Sequence, residues 1–125
     1  GEPTLLFTAS QASWAEQLIS KGRVGYVTDG PSMHRLASGV LLCLWSSLRS
    51  SGYTVGIARS TSGDILGPWE QVPEPLFAAD GGHCMVFRTF DGGLLLAFHQ
   101  PNPTPDERPH FVRLRETETS LEIVR

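Results

Sequence analysis

Two stretches of the chain share one residue pattern, and this repeat restricts the possible folds more than any other feature. Met33 to Ser47 aligns without a gap with Val86 to Gln100 at an offset of 53 residues (86 − 33), with an arginine, a glycine and two leucines at matching positions. The apolar runs that follow, Val55 to Arg59 and Phe111 to Arg115, align at an offset of 56 (111 − 55). Repeats of this length made of short strands are typical of β-propeller blades.

The remaining sequence also predicts an all-β fold. Apolar runs of strand length alternate with clusters of Gly, Pro, Ser and Asp, and the chain contains 13 Gly and 9 Pro. Phe90-Asp91-Gly92-Gly93 and Ala37-Ser38-Gly39 separate paired runs, where glycine supplies the positive φ of a tight turn. Only Ala12 to Ile19 could form a helix, and that helix would be short.

The length of the repeat predicts an incomplete propeller. The 125 residues hold about two blades and a fragment, whereas a closed propeller needs about four to eight blades. An open stack of blades would expose apolar faces and strand edges. We therefore expect residues 1–125 to form part of a longer propeller domain, and to associate either with a second copy as a homodimer or with the missing blades.

Charge and hydropathy exclude several classes of partner. A net charge of −3 gives no basic surface for nucleic acid, and no apolar run approaches the roughly 18 residues that span a bilayer. Gly1-Glu2-Pro3 lacks the features of a signal peptide, so both a cytoplasmic and a secreted location stay open. We expect Cys43 and Cys84 to be buried free thiols, with a disulfide as the alternative.

A series of short motifs runs along the chain: Val27-Thr28-Asp29-Gly30-Pro31, Val40 to Ser47, Tyr53 to Ala58, Gly67-Pro68-Trp69-Glu70, Asp80-Gly81-Gly82-His83, Arg88-Thr89-Phe90-Asp91-Gly92 and Glu107-Arg108-Pro109. In order and spacing this series resembles the glycoside hydrolases of family 43. The resemblance covers nearly the whole chain, from Gly1 to about Leu114, and implies the C-terminal part of a five-bladed propeller that acts on arabinose- or xylose-containing glycans with inversion.

The resemblance implies that Asp29 is the general acid. Family members carry three carboxylates, and no segment here matches the base or the aspartate that tunes the acid, so the isolated chain should be inactive. Asp29 stands directly before Gly-Pro, where the family usually has Glu. An aspartate near its ordinary pKa of about 3.9 is ionised at neutral pH, so this role requires a raised pKa. The alternative is a turn aspartate that bonds its own loop.

The resemblance also implies that His83 lies in the central channel and can bind a calcium or sodium ion. Calcium takes six to eight oxygen ligands, so water would have to complete the site. A zinc site made of His83, Cys84, His99 and Cys43 is the weaker alternative. Adjacent residues of a strand point to opposite faces, and the chain has no Cys-x-x-Cys spacing.

Three further residues are candidates for binding a pentose-containing oligosaccharide. His34 and His99 lie at the ends of matching strands, and Trp14 could stack on a sugar ring. Each also has a structural alternative. Four other residues are expected to be structural: Trp45 packed between blades, Trp69 holding a loop, and Arg59 and Arg108 in salt bridges or on carbonyls.

Two other functions remain open at the level of sequence. The chain could be a non-catalytic carbohydrate-binding or scaffold module in which Asp29 reflects lost chemistry. It could also belong to another kind of propeller, sialidase-like or kelch-like, although the Ser60 to Asp64 turn lies too far from Trp69 to match a sialidase Asp-box.

Overall fold

The computed structural model describes all 125 residues, and nearly all of its regular structure is antiparallel sheet. The first blade consists of β3–β6 and the second blade of β7–β10, each with its strands adjacent in chain order. A small hairpin, β1–β2, and a 3₁₀ turn at Ala9–Gln11 precede them. The strands are β1 Leu18–Ser20, β2 Arg23–Gly25, β3 Asp29–Arg35, β4 Leu41–Arg49, β5 Gly52–Ser60, β6 Trp69–Gln71, β7 Gly82–Arg88, β8 Leu94–Gln100, β9 Arg108–Glu116 and β10 Leu121–Ile123.

The two repeated hairpins lie in separate sheets, as the repeat predicts. The turns between β3 and β4 and between β7 and β8 contain Gly39 and Gly92, with φ of +95° and +87°. Their positions differ by 53 (92 − 39), and both need the left-handed conformation that glycine adopts without a steric penalty. The all-β prediction and the partial propeller are therefore confirmed.

The predicted alignment of the third strands is wrong by two residues. Leu42 pairs with Arg59 in the first blade, and the equivalent Leu95 pairs with Arg113 in the second, an offset of 54 (113 − 59) rather than 56. The loop between β8 and β9 spans 101–107, whereas β4 and β5 are joined by a tight turn at 50–51. Because a shift of two residues keeps every side chain on its own face, the apolar pattern did not reveal the error.

The main core lies between the two blades. Leu42 and Leu44 of β4 point toward the second blade, where Leu96 and Phe98 of β8 meet them. These residues are almost fully buried, which is typical of sheets packed face to face. The two blades are therefore held together mainly by apolar side chains.

The other face of the first blade is covered by the segment that precedes it. Cys43 and Trp45 point away from the second blade and pack against Ala12 and Trp14. The predicted short helix at 12–19 does not form: Ala12 is already extended, with φ −94° and ψ 115°, and β1 begins at Leu18. The reason is tertiary, because the chain must run flat across the sheet to place Trp14 on it.

Gly56 gives a direct test of this packing. A Cβ atom at this position would lie 2.0 Å from Cζ2 of Trp14, so Gly56→Ala is expected to force the indole away and destabilise the chain by about 1–3 kcal/mol. Gly25→Ala is the control, since a Cβ there meets nothing within 4 Å. Urea denaturation followed by tryptophan fluorescence measures both. Equal stabilities of the two variants would contradict the packing.

The outer face of the second blade is open. Met85 and Phe111 are 58% and 59% exposed, and the ring of Phe111 contacts that of Phe87 edge to face. Cys43 and Cys84 are buried and free, as predicted, so the disulfide alternative is wrong. No helix in the structure has the length and hydropathy needed to cross a membrane.

Candidate functional site

Asp29 and His83 lie side by side where the two blades meet. Each belongs to the first strand of its blade, β3 or β7, and Nδ1 of His83 is 3.5 Å from Oδ2 of Asp29. The two side chains are 45% and 59% exposed, so a ligand could reach both. The resemblance implied that Asp29 is the general acid and that His83 lies in the central channel, and the structure brings the two side chains together.

A bulge in each first strand places these residues. The register of β3 against β4 shifts between Asp29 and Ser32, and that of β7 against β8 shifts between Gly82 and Met85, which are the equivalent positions at offset 53. Gly30 and His83, also equivalent, both have positive φ, +52° and +56°. A histidine in this region costs free energy, so its backbone must be held by its surroundings.

Ser46 of β4 helps to hold the backbone of His83 in this conformation. The backbone N–H of His83 donates to Oγ of Ser46 at 2.9 Å, across the junction of the blades. Gly30 also approaches His83 closely, because a Cβ there would lie 2.9 Å from Cγ of the imidazole. Positive φ and close contact together require glycine at position 30.

Tyr53 stabilises the ionised form of Asp29 in this chain. Its hydroxyl donates to Oδ2 of Asp29 at 2.6 Å. This hydrogen bond, opposed by partial burial and assisted by His83, holds the pKa of Asp29 below its ordinary value. Burial and the adjacent carboxylate raise the pKa of Tyr53, so the phenol keeps its proton. With only the neighbours that this chain supplies, Asp29 is therefore ionised at neutral pH and is not a proton donor.

His99 lies at the same end of the second blade. Its ring centroid is 5.5 Å from that of Tyr53, and the imidazole lines an open depression of about 440 Å³ together with His83 and Arg108. The guanidinium of Arg108 donates to the carbonyl oxygens of Pro105 and Glu107, so Arg108 caps carbonyls as predicted. Sugar binding by His99 is untested and stays a prediction.

His34 is not part of this site. It lies five residues beyond Asp29 along β3, on the order of 15 Å away at about 3.3 Å per residue. Its Nε2 is 2.9 Å from Oε1 of Glu116, which also contacts Arg88. The other oxygen of this carboxylate, Oε2, accepts the backbone N–H of Ala37. The prediction that His34 binds sugar is corrected, because the structure uses this side chain to join the two blades.

Trp14 is not a sugar platform either. Its side chain is only 4% exposed, and its indole packs on Trp45 at a centroid distance of 4.6 Å and against Gly56. That prediction is wrong, since both faces of the ring are used by the core. Trp45 is buried as predicted, although against the preceding segment and not against the second blade. Trp69 holds its loop, with Nε1 donating to the carbonyl of Ile65.

The structure contains no cluster of three or more His, Cys, Asp or Glu side chains that could bind a metal ion. His83 is exposed and Cys84 is buried, so they point to opposite faces and do not form the zinc site. Around His83 this chain offers one imidazole and one carboxylate, too few for calcium. The described residues do not form a cation site by themselves, and the role of His83 as a ligand stays a prediction.

Tyr53, Ser46 and Glu116 are site or junction residues that the sequence did not single out. Tyr53 and Ser46 lie within apolar strand runs, where they pass as ordinary strand residues. Glu116 ends β9, more than 80 positions from its partner His34. The only available signal was that Tyr53 lies near the start of β5, at the same end of the sheet as Asp29.

The fold is found in solved structures of glycoside hydrolases. An endo-arabinase from Bacteroides thetaiotaomicron is 44% identical to the chain, with a TM-score of 0.89 over 95% of this chain and 42% of that one. A thermostable family-43 glycoside hydrolase matches at 21% identity and a TM-score of 0.66, over 78% of this chain and 35% of that one. An endo-1,4-beta-xylanase from Bacteroides thetaiotaomicron matches at 23% identity and a TM-score of 0.65, over 78% and 38%.

The extent of these matches fits an incomplete propeller. The chain spans about two fifths of the length of the endo-arabinase, while nearly all of its own residues are matched. No protein-family model and no curated protein matches the chain. The likeness to the two more distant enzymes concerns the fold, and that to the endo-arabinase also concerns the sequence. The chain therefore has part of the β-propeller fold of these glycoside hydrolases, one of which is a family-43 enzyme, and it is similar in sequence to the endo-arabinase.

Proposed function

We propose that this chain is part of a glycosidase that cleaves arabinose- or xylose-containing glycans with inversion, and that Asp29 is its general acid. The observation that carries the proposal is the position of Asp29, a half-exposed carboxylate at the junction of two blades, in a chain 44% identical to an endo-arabinase. The position before Gly-Pro is also the one that holds the acid in the family that the sequence resembles.

The chemistry needs a second carboxylate from outside this chain. In inversion, Asp29 would give its proton to the glycosidic oxygen as the bond from that oxygen to the anomeric carbon breaks. A base on the opposite face would take a proton from water, and the water oxygen would bond to the anomeric carbon, with the two carboxyl groups about 6.5–9.5 Å apart. The side chains that surround Asp29 are Tyr53 and His83, and neither is a carboxylate.

The proposal requires the rest of the propeller to raise the pKa of Asp29. In this chain the Tyr53 hydrogen bond and His83 lower that pKa. A like charge nearby, or closure of the site away from water, would act in the opposite direction and favour the protonated acid. The aspartate that tunes the acid in the family, which has no counterpart here, would supply such a charge.

We propose His83 and His99 as the sugar contacts of this chain. Both line the open depression beside Asp29. Imidazole nitrogens donate and accept hydrogen bonds, so these two side chains suit the hydroxyl groups of a pentose-containing oligosaccharide.

A second candidate function is carbohydrate binding without catalysis. The ionised state of Asp29 favours it, because a carboxylate accepts hydrogen bonds from sugar hydroxyls but cannot protonate a leaving group. The two candidates differ in one measurable property: only the first predicts turnover once the missing base is supplied.

We propose that the exposed face of the second blade is where the remaining blades pack. The first blade uses Leu42 and Leu44 of β4 against the second blade, and the equivalent residues of β8 are Leu95 and Ala97, on the open face. The exposed Met85 and Phe111 belong to this face. Association with the rest of a propeller, or with a second copy of the chain, would bury it.

The 125-residue chain alone is expected not to hydrolyse arabinan, because it lacks the base. A chimera tests the proposal, in which this chain replaces the matching 42% of the Bacteroides thetaiotaomicron endo-arabinase. The chimera is expected to release reducing sugars from arabinan, and anomer detection by NMR is expected to show inversion. Turnover by the isolated chain would contradict the need for a base from outside it. A folded chimera that binds arabinan without cleaving it would contradict the glycosidase and favour the binding module.

A further inference from the structure

Tyr53 connects the buried core to the candidate site. It is only 3% exposed, yet its hydroxyl ends on the half-exposed carboxylate of Asp29. A buried tyrosine normally gives its hydroxyl a hydrogen-bond partner, and here the partner is the charged group of the site. Because the ring is packed on all sides, the hydroxyl can serve as a fixed point for a mobile carboxylate.

The second blade keeps the ring in place. A Cβ atom at Gly82 would lie 2.6 Å and 2.8 Å from two carbons of the Tyr53 ring, so only glycine leaves room for it. His99 covers the ring from β8. The backbone N–H of Tyr53 donates to Oδ1 of Asp80 at 3.1 Å, and Oδ2 of Asp80 accepts the N–H of Asn102. Tyr53 belongs to the first blade but is positioned largely by the second.

The contacts of Asp29 fall on one oxygen. Tyr53 donates to Oδ2, and Nδ1 of His83 is nearest to the same Oδ2. With Oδ2 engaged by Tyr53 and His83, Oδ1 is the oxygen without a side-chain contact. Asp29 has one rotatable bond fewer than the Glu usual in the family, so fixing Oδ2 fixes the direction of Oδ1.

We propose that Tyr53 is a positioning residue for Asp29, which holds Oδ2 so that Oδ1 exchanges the proton with the leaving group, and that docking of the second blade through Gly82 sets this geometry. The role in proton exchange rests on the proposed glycosidase function, whereas the positioning of the carboxylate does not.

Two variants test the positioning in the 125-residue chain. Tyr53→Phe keeps the ring and removes the hydroxyl, and Gly82→Ala pushes the ring from the other blade without touching Asp29. Three-bond couplings between Hα and Hβ of Asp29, measured by NMR, are expected to show one χ1 rotamer in the parent chain and averaging over rotamers in both variants. Gly25→Ala is the control, because its Cβ meets nothing within 4 Å. Unchanged couplings in Tyr53→Phe would overturn the inference, and this variant decides if Gly82→Ala does not fold.

The same variants in the chimera test the catalytic consequence. Both variants are expected to lower kcat for arabinan by about tenfold or more, with KM nearly unchanged. The reason is that displacing a catalytic group by about 1 Å can lower the rate by about a hundredfold. A loss that appears only in KM would overturn the positioning role in catalysis. If the couplings average in the variants of the 125-residue chain while the parent chimera is inactive, Tyr53 positions Asp29 but the proposed glycosidase function is overturned. Failure of the positioning and failure of the proposed function therefore give different results.

Discussion

Asp29→Asn in the chimeric propeller is expected to lower kcat for arabinan by about a hundredfold to ten-thousandfold. Asparagine has the shape of aspartate but no acidic proton, and loss of a general acid typically costs this much. The hydroxyl of Tyr53 can still donate to the amide oxygen of Asn, so the fold around position 29 should not change. Initial rates of reducing-sugar release measure the effect.

Asp91→Asn is the matched control for this substitution. Asp91 lies in the turn between β7 and β8, at the end of the second blade opposite Gly82, and Asn-Gly forms such turns as well as Asp-Gly does. The kcat of the Asp91→Asn chimera is expected to equal that of the parent chimera. If Asp29→Asn kept more than a tenth of the parent rate while Asp91→Asn kept all of it, Asp29 would not be the general acid.

Asp29→Glu separates an acid role from a structural one. The side chain at 29 is 45% exposed, so there is room for one further methylene. Because Glu is the residue usual at this place in the family that the sequence resembles, the chimera is expected to stay active with Glu. If the Glu variant were as inactive as the Asn variant, with intact circular dichroism, an acidic proton at position 29 would not be enough for activity, and this support for the acid role would be lost.

Leu96→Ala is expected to destabilise the chain by about 2–5 kcal/mol. Leu96 is fully buried in the core between the blades, and removing its three terminal carbons leaves a cavity that the packed sheets cannot close. Urea denaturation of the 125-residue chain measures the loss. Trp14, Trp45 and Trp69 all precede the second blade, so tryptophan fluorescence reports on the first blade and the segment before it. The substitution lies in the second blade.

If the blades unfold as one unit, Leu96→Ala shifts the tryptophan fluorescence transition and the circular dichroism transition by the same amount. Leu66→Ala is the control, since Leu66 is 65% exposed and surface truncations usually change stability by less than about 0.5 kcal/mol. A fluorescence midpoint that does not move in Leu96→Ala would show that the two blades unfold independently and that the shared core contributes little.

The architecture could be read from the sequence because it depends on local patterns that repeat. The strand runs, the turn glycines at 39 and 92 and the offset of 53 are each visible in a short window, and the structure has them. The offset of the third strand could not be read, since an even shift preserves the alternation of faces. The short helix predicted at 12–19 failed because packing of Trp14 on Gly56 outweighs local propensity.

The site was predicted in part. Asp29 and His83 were found by their motifs, and the structure brings them within 3.5 Å of each other. His34 was a candidate for the sugar from its position on a strand and Trp14 from its residue type, each with a structural alternative, and neither signal could reveal that Glu116 and Trp45 engage them. Tyr53 was missed because nothing in a strand run of apolar residues distinguishes a packed tyrosine from one whose hydroxyl reaches a carboxylate.

The sequence by itself determined the strand pattern and the repeat of two blades, because these follow from hydrophobic alternation and turn chemistry over a few residues. The tertiary structure alone decided which side chains meet across the junction of the blades. The physical reason is range: the distance of 3.5 Å between His83 and Asp29 depends on how two sheets dock, and that docking depends on the residues of the core between them.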